Sequence, residues 1–199
     1  MKKIKVLIAI AALFVSLNGF GQFWYTNVSY DIGIPMGSSK DFVSTTSFRG
    51  ATFNFGRMIN DNLSIDGRFS WSTYYEARDF DTYSSDDEMT DITGKAFKYI
   101  NNFPITTGLT YFVRTDGNFT PYFSGGLGAY KINERTDMGI YYAETKEWHF
   151  GLFPQIGLLY EINYSLSLNI FARYDYAFKT SRTTDHSFLT FGIGLYFDN

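Results

Sequence analysis

The segment 165–178, SLSLNIFARYDYAF, constrains the chain most, because its apolar residues recur with a period of two. Leu166, Leu168, Ile170, Ala172, Tyr174, Tyr176 and Phe178 share one parity. Ser165, Ser167, Asn169, Phe171, Arg173, Asp175 and Ala177 share the other. Successive side chains of a strand point to opposite faces, so this is a strand with one apolar and one polar face. The same alternation is clear at 27–34, 63–75 and 189–197, and weaker at 48–58, 102–113, 121–131 and 148–160. Eight strands are therefore expected, each about 10–14 residues long, which suits a strand that crosses a bilayer at a tilt. The pattern leaves one question. In a soluble sandwich the apolar face is the core; in a membrane barrel it faces lipid and the polar face fills the inside.

The rest of the chain bears on that choice. Residues 1–21 begin with Lys2, Lys3 and Lys5, continue through an apolar run from Val6 to Leu17, and end in small residues including Gly19 and Gly21. This reads as a Sec signal peptide cleaved before Gln22, with 22–199 as one mature domain. Without those three lysines the 17 basic residues fall to 14 against 20 acidic ones, a net charge of −6. That argues against a nucleic-acid partner. The chain has no cysteine, so there is no disulfide framework, thiol chemistry or lipid anchor. Past residue 21 no apolar stretch is long enough for a transmembrane helix. A membrane-spanning mature chain would have to be a closed β-barrel, the other fold that pairs every backbone group in lipid.

The connections alternate in length. INDN (59–62), RTDGN (114–118) and EINY (161–164) are short; PMGSSKDFVSTT, ARDFDTYSSDDEMTDITGK, NERTDMGIYYAETKE and KTSRTTDH are long. Short periplasmic turns opposite longer extracellular loops is the pattern of an outer-membrane barrel. On the four clear strands every charge falls on the polar parity: Asp31, Asp66, Arg68, Arg173 and Asp175. A soluble core face would also exclude charge. The membrane reading draws further support from the Gly and Ser on the polar face. It is also supported by an expected aromatic girdle of Trp71, Tyr75, Trp148, Tyr160, Tyr174, Tyr176 and the terminal Phe197. Two residues resist the pattern. Pro154 interrupts a strand and should mark a bulge or a lost ladder bond. Arg57 falls on the lipid parity, close enough to the 59–62 turn to reach the headgroups.

The segments RMINDNLSIDGRFSWSTYYE (57–76), TPYFSGGLGAY (120–130), WHFGLFPQIGLLYEI (148–162) and LTFGIGLYF (189–197) resemble the small outer-membrane β-barrels of the OmpA-barrel/OmpX-like family. The resemblance covers essentially all of 22–199 and rests on turn and glycine patterns of a fold, not of an activity. It implies an all-β, eight-stranded antiparallel up-and-down transmembrane barrel, integral to the outer membrane of a Gram-negative cell. Members of the family anchor, adhere, pass small ligands or modify lipid.

Each candidate for chemistry has a bland reading beside it. The interior charges read first as a packed salt-bridge network and second as a polar path for protons or small ions. The acidic loop 77–96 holds Asp79, Asp81, Asp86, Asp87, Glu88 and Asp91 against Arg78 and Lys95. It reads as a solvated face, with Asp86, Asp87 and Glu88 as a candidate cation site that lacks calcium-loop spacing. His149 and His186 are placed near the outer rim. A barrel hydrolase would need one of them beside a serine and a carboxylate, and Asp185, His186 and Ser187 cannot supply this among themselves because adjacent strand residues diverge. GGLG (125–128) reads as a strand in which close backbone approach or a bulky interior neighbour leaves no room for side chains. The expected role is a structural or surface-interaction one, without catalysis, cofactor or metal. Its partners would be outer-membrane lipid, lipopolysaccharide and a surface protein met by loops 77–96 and 133–147. The alternative is passage of a small ligand or ion, and after it a lipid-modifying enzyme.

Overall fold

The computed structural model describes residues 24–84, 91–139 and 141–198, with the side chains of 79–84 and 91–93 not described. The expected signal peptide and the acidic triplet Asp86, Asp87 and Glu88 lie outside these residues. Eight antiparallel strands close into one barrel in sequence order. They are β1 (Trp24–Met36), β2 (Ser47–Met58), β3 (Leu63–Ser84), β4 (Asp91–Phe112), β5 (Phe119–Met138), β6 (Tyr141–Asn163), β7 (Leu166–Ala177) and β8 (His186–Asp198). A single closed sheet rules out the two-sheet sandwich.

The polar parity is inside. On β7, Ser167, Asn169, Arg173 and Asp175 are buried while Ile170 is half exposed and its parity neighbours are open to varying degrees. On β8 the outward residues Phe191, Ile193 and Leu195 are 43–50 % exposed. Side chains so apolar and so exposed around a whole barrel form a belt that needs an apolar solvent.

The weak alternation of the other strands has causes in the structure. All four prolines sit where a ladder is open. Pro154 pairs with Gly125 on β5, while the β6–β7 pairing skips from Leu152↔Tyr176 to Gln155↔Arg173 without a change of register. It therefore marks a lost ladder bond and not a bulge. Pro104 does the same on β4, between Phe69↔Ile105 and Ser72↔Asn102. Arg57 keeps the register of β2, opposite Trp24, with its guanidinium 5.5 Å from the Trp24 ring centre.

The strands have two lengths. β1, β2, β7 and β8 have 12 or 13 residues, whereas β3 to β6 have 20 to 23. The segments 77–96 and 133–147, expected to be loops, are largely the continuation of these strands. β3 and β4 stay paired to Ser84↔Asp91, and β5 and β6 to Met138↔Tyr141 around the positive-φ Gly139. In 133–147 residues of both parities meet solvent, most fully at 141–146, so this stretch carries no period-two signal of a half-buried strand. The result is a four-stranded blade standing beyond the belt. At about 3.4 Å per residue, the ten residues of β6 beyond its pairing with β7 reach roughly 30 Å along the strand.

At the blade end the 36–47 connection folds inward as a short helix, α1 (Gly37–Phe42). Val43 follows it into a buried cluster with Tyr74, Ile100, Tyr130, Ile132 and Phe188. At the turn end a second cluster joins Tyr25, Phe112, Tyr122, Leu159, Phe171 and Tyr196. Tyr25 stacks on Tyr196 with ring centres 4.8 Å apart. The barrel admits these rings because glycine faces them: a Cβ at Gly56, Gly157 or Gly192 would collide with Tyr25, Tyr122 or Phe171.

Candidate functional site

Between the two aromatic layers lies the ion network. All five interior charges are buried, at 2–7 % exposure. Four of them form one chain. Arg173 bridges Asp31 at 3.3 Å and Asp175 at 2.8 Å, and Asp175 continues to Arg68 at 2.8 Å. The last contact crosses the lumen from β7 to β3. Tyr130 on β5 donates to Asp175 at 3.0 Å, and Ser29 and Thr52 donate to Asp31. The network therefore ties β1, β2, β3, β5 and β7 to one another. Asp66 stands apart, nearer the turn end, and accepts from Thr110 at 2.7 Å.

Arg68 has a second support that its spacing did not announce. Its guanidinium carbon lies over the Phe153 ring, 3.7 Å from the centre. That ring fits against the β4–β5 wall because Gly108 and Gly126 carry no side chain. A Cβ at Gly126 would meet the Thr107 carbonyl and Phe153; one at Gly128 would meet the Ile105 carbonyl and the Thr106 backbone. At Gly126 and Gly128 the neighbours thus leave no room, as expected of the GGLG stretch, whereas a Cβ at Gly125 would make only an ordinary contact with the Phe153 carbonyl.

The interior leaves little space. A cavity of about 20 Å³ lies beside Asn27, Asp66, Arg68 and Tyr122, and one of about 10 Å³ beside Asp31, Asn102, Arg173 and Asp175. A single water needs about 10–15 Å³, so neither admits a solute. A wider vestibule of about 360 Å³ opens at the turn end, and Phe112, Leu159 and Tyr196 form part of its wall.

The aromatics assigned to the girdle are outward. Trp71, Tyr75, Trp148, Tyr160 and Phe197 are exposed, and Tyr174 and Tyr176 are partly so. Lys131 lies over Trp148, 5.8 Å from its ring centre.

The two histidines, both expected near the outer rim, are in contact there. They come from β6 and β8, which are not neighbours, and contact edge to face across the mouth with ring centres 5.0 Å apart. His149 Nδ1 is 2.8 Å from the Phe178 carbonyl, and its Nε2 is 3.2 Å from the Thr183 hydroxyl. His186 does have a serine and a carboxylate nearby, as a hydrolase would require. Ser39 Oγ lies 3.1 Å and Glu134 Oε1 4.0 Å away, but both approach the same nitrogen, Nδ1. A relay needs the acid on one ring nitrogen and the nucleophile on the other. Asp185 is instead engaged by Ser38 at 3.4 Å. No cluster of three metal-ligating side chains occurs among the described residues.

Comparison with solved structures returns barrels of this size. Neisserial surface protein A is 16 % identical with a TM-score of 0.60, over 89 % of this chain and 99 % of that one. Ail, the attachment invasion locus protein of Yersinia pestis, crystallised with the heparin analogue sucrose octasulfate, is 15 % identical with a TM-score of 0.55, over 90 % of this chain and 100 % of that one. At these identities the likeness shows the fold. No curated protein sequence matches the chain. A family model described as the outer membrane protein beta-barrel domain matches residues 7–197. The inward polar face, the apolar belt and this match agree: the chain belongs to the outer membrane protein β-barrel domain family and is an integral outer-membrane protein.

Proposed function

We propose that this protein is a surface-interaction scaffold, exported by the Sec route, whose recognition element is the blade of β3–β6 on the outside of the cell. The observation that carries the reading is the difference in strand length. Beyond Ser72 and Gly151 these four strands have left β2 and β7 behind, so the sheet has two free edges. The edges are treated differently. Glu76 on β3 is capped by the Ser44 backbone and hydroxyl, and Arg78 reaches the Asp41 carbonyl, so the α1 connection covers that side. On β6 the β7–β8 connection meets Glu147, His149 and Phe150, but beyond them Tyr141 and Tyr142 are 57–67 % exposed and no strand among the described residues pairs with this edge. An open edge with aromatic side chains is suited to an extended segment of a partner protein, held by main-chain hydrogen bonds. Where the blade leaves the belt, Lys131 over Trp148 suits a phosphate of outer-leaflet lipopolysaccharide.

A conduit draws less support, since two aromatic layers and the ion network stand across the lumen. Deleting Thr136–Ala143 and closing the hairpin with Asn-Gly tests the two readings together. The shortened protein should still shift in mobility on heating in detergent, as folded barrels do. Cells carrying it should lose at least tenfold in attachment to one another and to protein-coated surfaces. Equal attachment by both proteins, or reproducible single-channel steps from the intact chain in planar bilayers, would overturn the proposal.

A further inference from the structure

The α1 connection is held to the barrel from two sides by different chemistry. On the β3 side its partners are Glu76 and Arg78, and Lys98 on β4 lies over Phe42 at 4.6 Å. Ser44 and Arg78 hold the Glu76 carboxyl below its usual range against the opposing effect of burial. That tether persists into mild acid. On the β8 side Ser38 reaches Asp185 at 3.4 Å, Val43 packs with Phe188, and the fully buried Ser39 makes two contacts. Ser39 Oγ accepts the Ser187 N–H at 3.2 Å, which leaves its own proton for His186 Nδ1 at 3.1 Å. With Nδ1 unprotonated the Ser39 hydroxyl donates to it; once Nδ1 carries a proton, Ser39 Oγ can only accept there, and its own fully buried proton loses that acceptor.

We propose that α1 is an acid-released lid on the barrel mouth: a proton entering between His186 Nδ1 and Glu134 Oε1 takes the lone pair on which Ser39 depends, and the β8 side of the lid lets go. The two oxygens compete for one nitrogen. If the proton stays on the ring, Nδ1–H turns to the Glu134 carboxylate. If it stays on Glu134, that carboxyl donates to Nδ1 in place of Ser39. Either way Ser39 loses that acceptor. The groups that face the pair are His149 from β6, Thr183 and Asp185 from the β7–β8 connection, Ser39 from α1, and Lys98 from β4, which acts on Glu134. Burial and then His149 push His186 down to about 4 from an ordinary 6.5, Asp185 opposing them. Burial raises Glu134, with Lys98 opposing, so the titration of that carboxyl favours the shut lid in acid and works against the release that His186 drives. The sign follows. His186 is harder to protonate with the lid shut, so closure is fully stable above about 6.5, weakens as pH falls below it, and has lost this contribution by about 4. Lifting the lid withdraws Val43 from the Tyr74–Phe188 cluster and uncovers apolar surface at the mouth.

The chain has no cysteine, so spin labels can be placed at will. With Lys40→Cys and Ala143→Cys labelled in nanodiscs, pulsed electron–electron resonance should give one narrow distance at pH 7.5. At pH 4 a second, longer distance should appear, with the lifted fraction up at least tenfold. His186→Gln keeps an acceptor for Ser39 but does not titrate, and should hold the narrow distance at both values. An unchanged distribution in the parent protein at pH 4, or an acid response retained in His186→Gln, would overturn the latch. A shift on heating in detergent certifies that each variant is folded.

Discussion

Arg173→Met is expected to destabilise the barrel by about 3–5 kcal/mol, the range for removing one member of a buried ion pair and leaving its partner charged. Two carboxylates depend on this guanidinium. Asp175 retains Arg68, but Asp31 is left with neutral donors only, Ser29 and Thr52. The adjoining cavity, about 10 Å³, has room for one water at most and cannot resolvate two carboxylates. Methionine fills most of the volume, so the loss reports charge and not a void. The control is Arg182→Met. Arg182 also meets a carboxylate at 3.3 Å, that of Glu147, but its side chain is 78 % exposed. An exposed pair of that kind is worth about 0–1 kcal/mol. Urea unfolding from lipid vesicles, followed by the emission of Trp24, Trp71 and Trp148, measures both. A loss below about 1 kcal/mol for Arg173→Met would mean that the network is wet or its members neutral.

The network also shows where a one-dimensional reading stops. That Asp31, Asp66, Arg68, Arg173 and Asp175 lie inside follows from parity, and parity was legible because one face of each strand is solvated by apolar matter and the other is not. Which charge meets which was not legible. Arg68 and Asp175 are 107 residues apart and sit on strands facing each other across the lumen. Nothing local marks a pairing that depends on the shear of the closed sheet. The same holds for His149 and His186. The rings of Tyr25, Tyr122 and Phe171 fall on the inward parity, but the glycines that receive them belong to neighbouring strands. GGLG was a usable signal because three glycines within four residues are visible without a partner. The blade was misread for the opposite reason. With both faces in water, 133–147 could be strand without any alternation, and the loop and the solvated hairpin look alike in sequence.

The apolar belt carries the fold assignment, and a depth profile tests it directly. Ile193 sits at the middle of the outward row Leu189, Phe191, Ile193, Leu195 and Phe197, flanked by Tyr30 on β1 and Ile170 on β7. Ile193→Arg should cost about 2–4 kcal/mol relative to Ile193→Ala, the penalty for a guanidinium at the bilayer midplane. The same exchange at Phe197, one residue from the end of β8, should cost about 0–1 kcal/mol relative to alanine, because the side chain reaches the headgroups there. Alanine is the right reference because lipid chains fill what the isoleucine vacates, so truncation leaves no hole. A protein core behaves otherwise. There Ile→Ala alone costs about 2–5 kcal/mol through the cavity it leaves, and arginine is excluded at every buried position along the strand without regard to its distance from an interface. Refolding each variant into vesicles and titrating with urea gives the profile. A maximum at Ile193 falling away toward Phe197 places the row in lipid. A flat profile, with Ile193→Ala already as damaging as a core truncation, would put another protein surface against the belt.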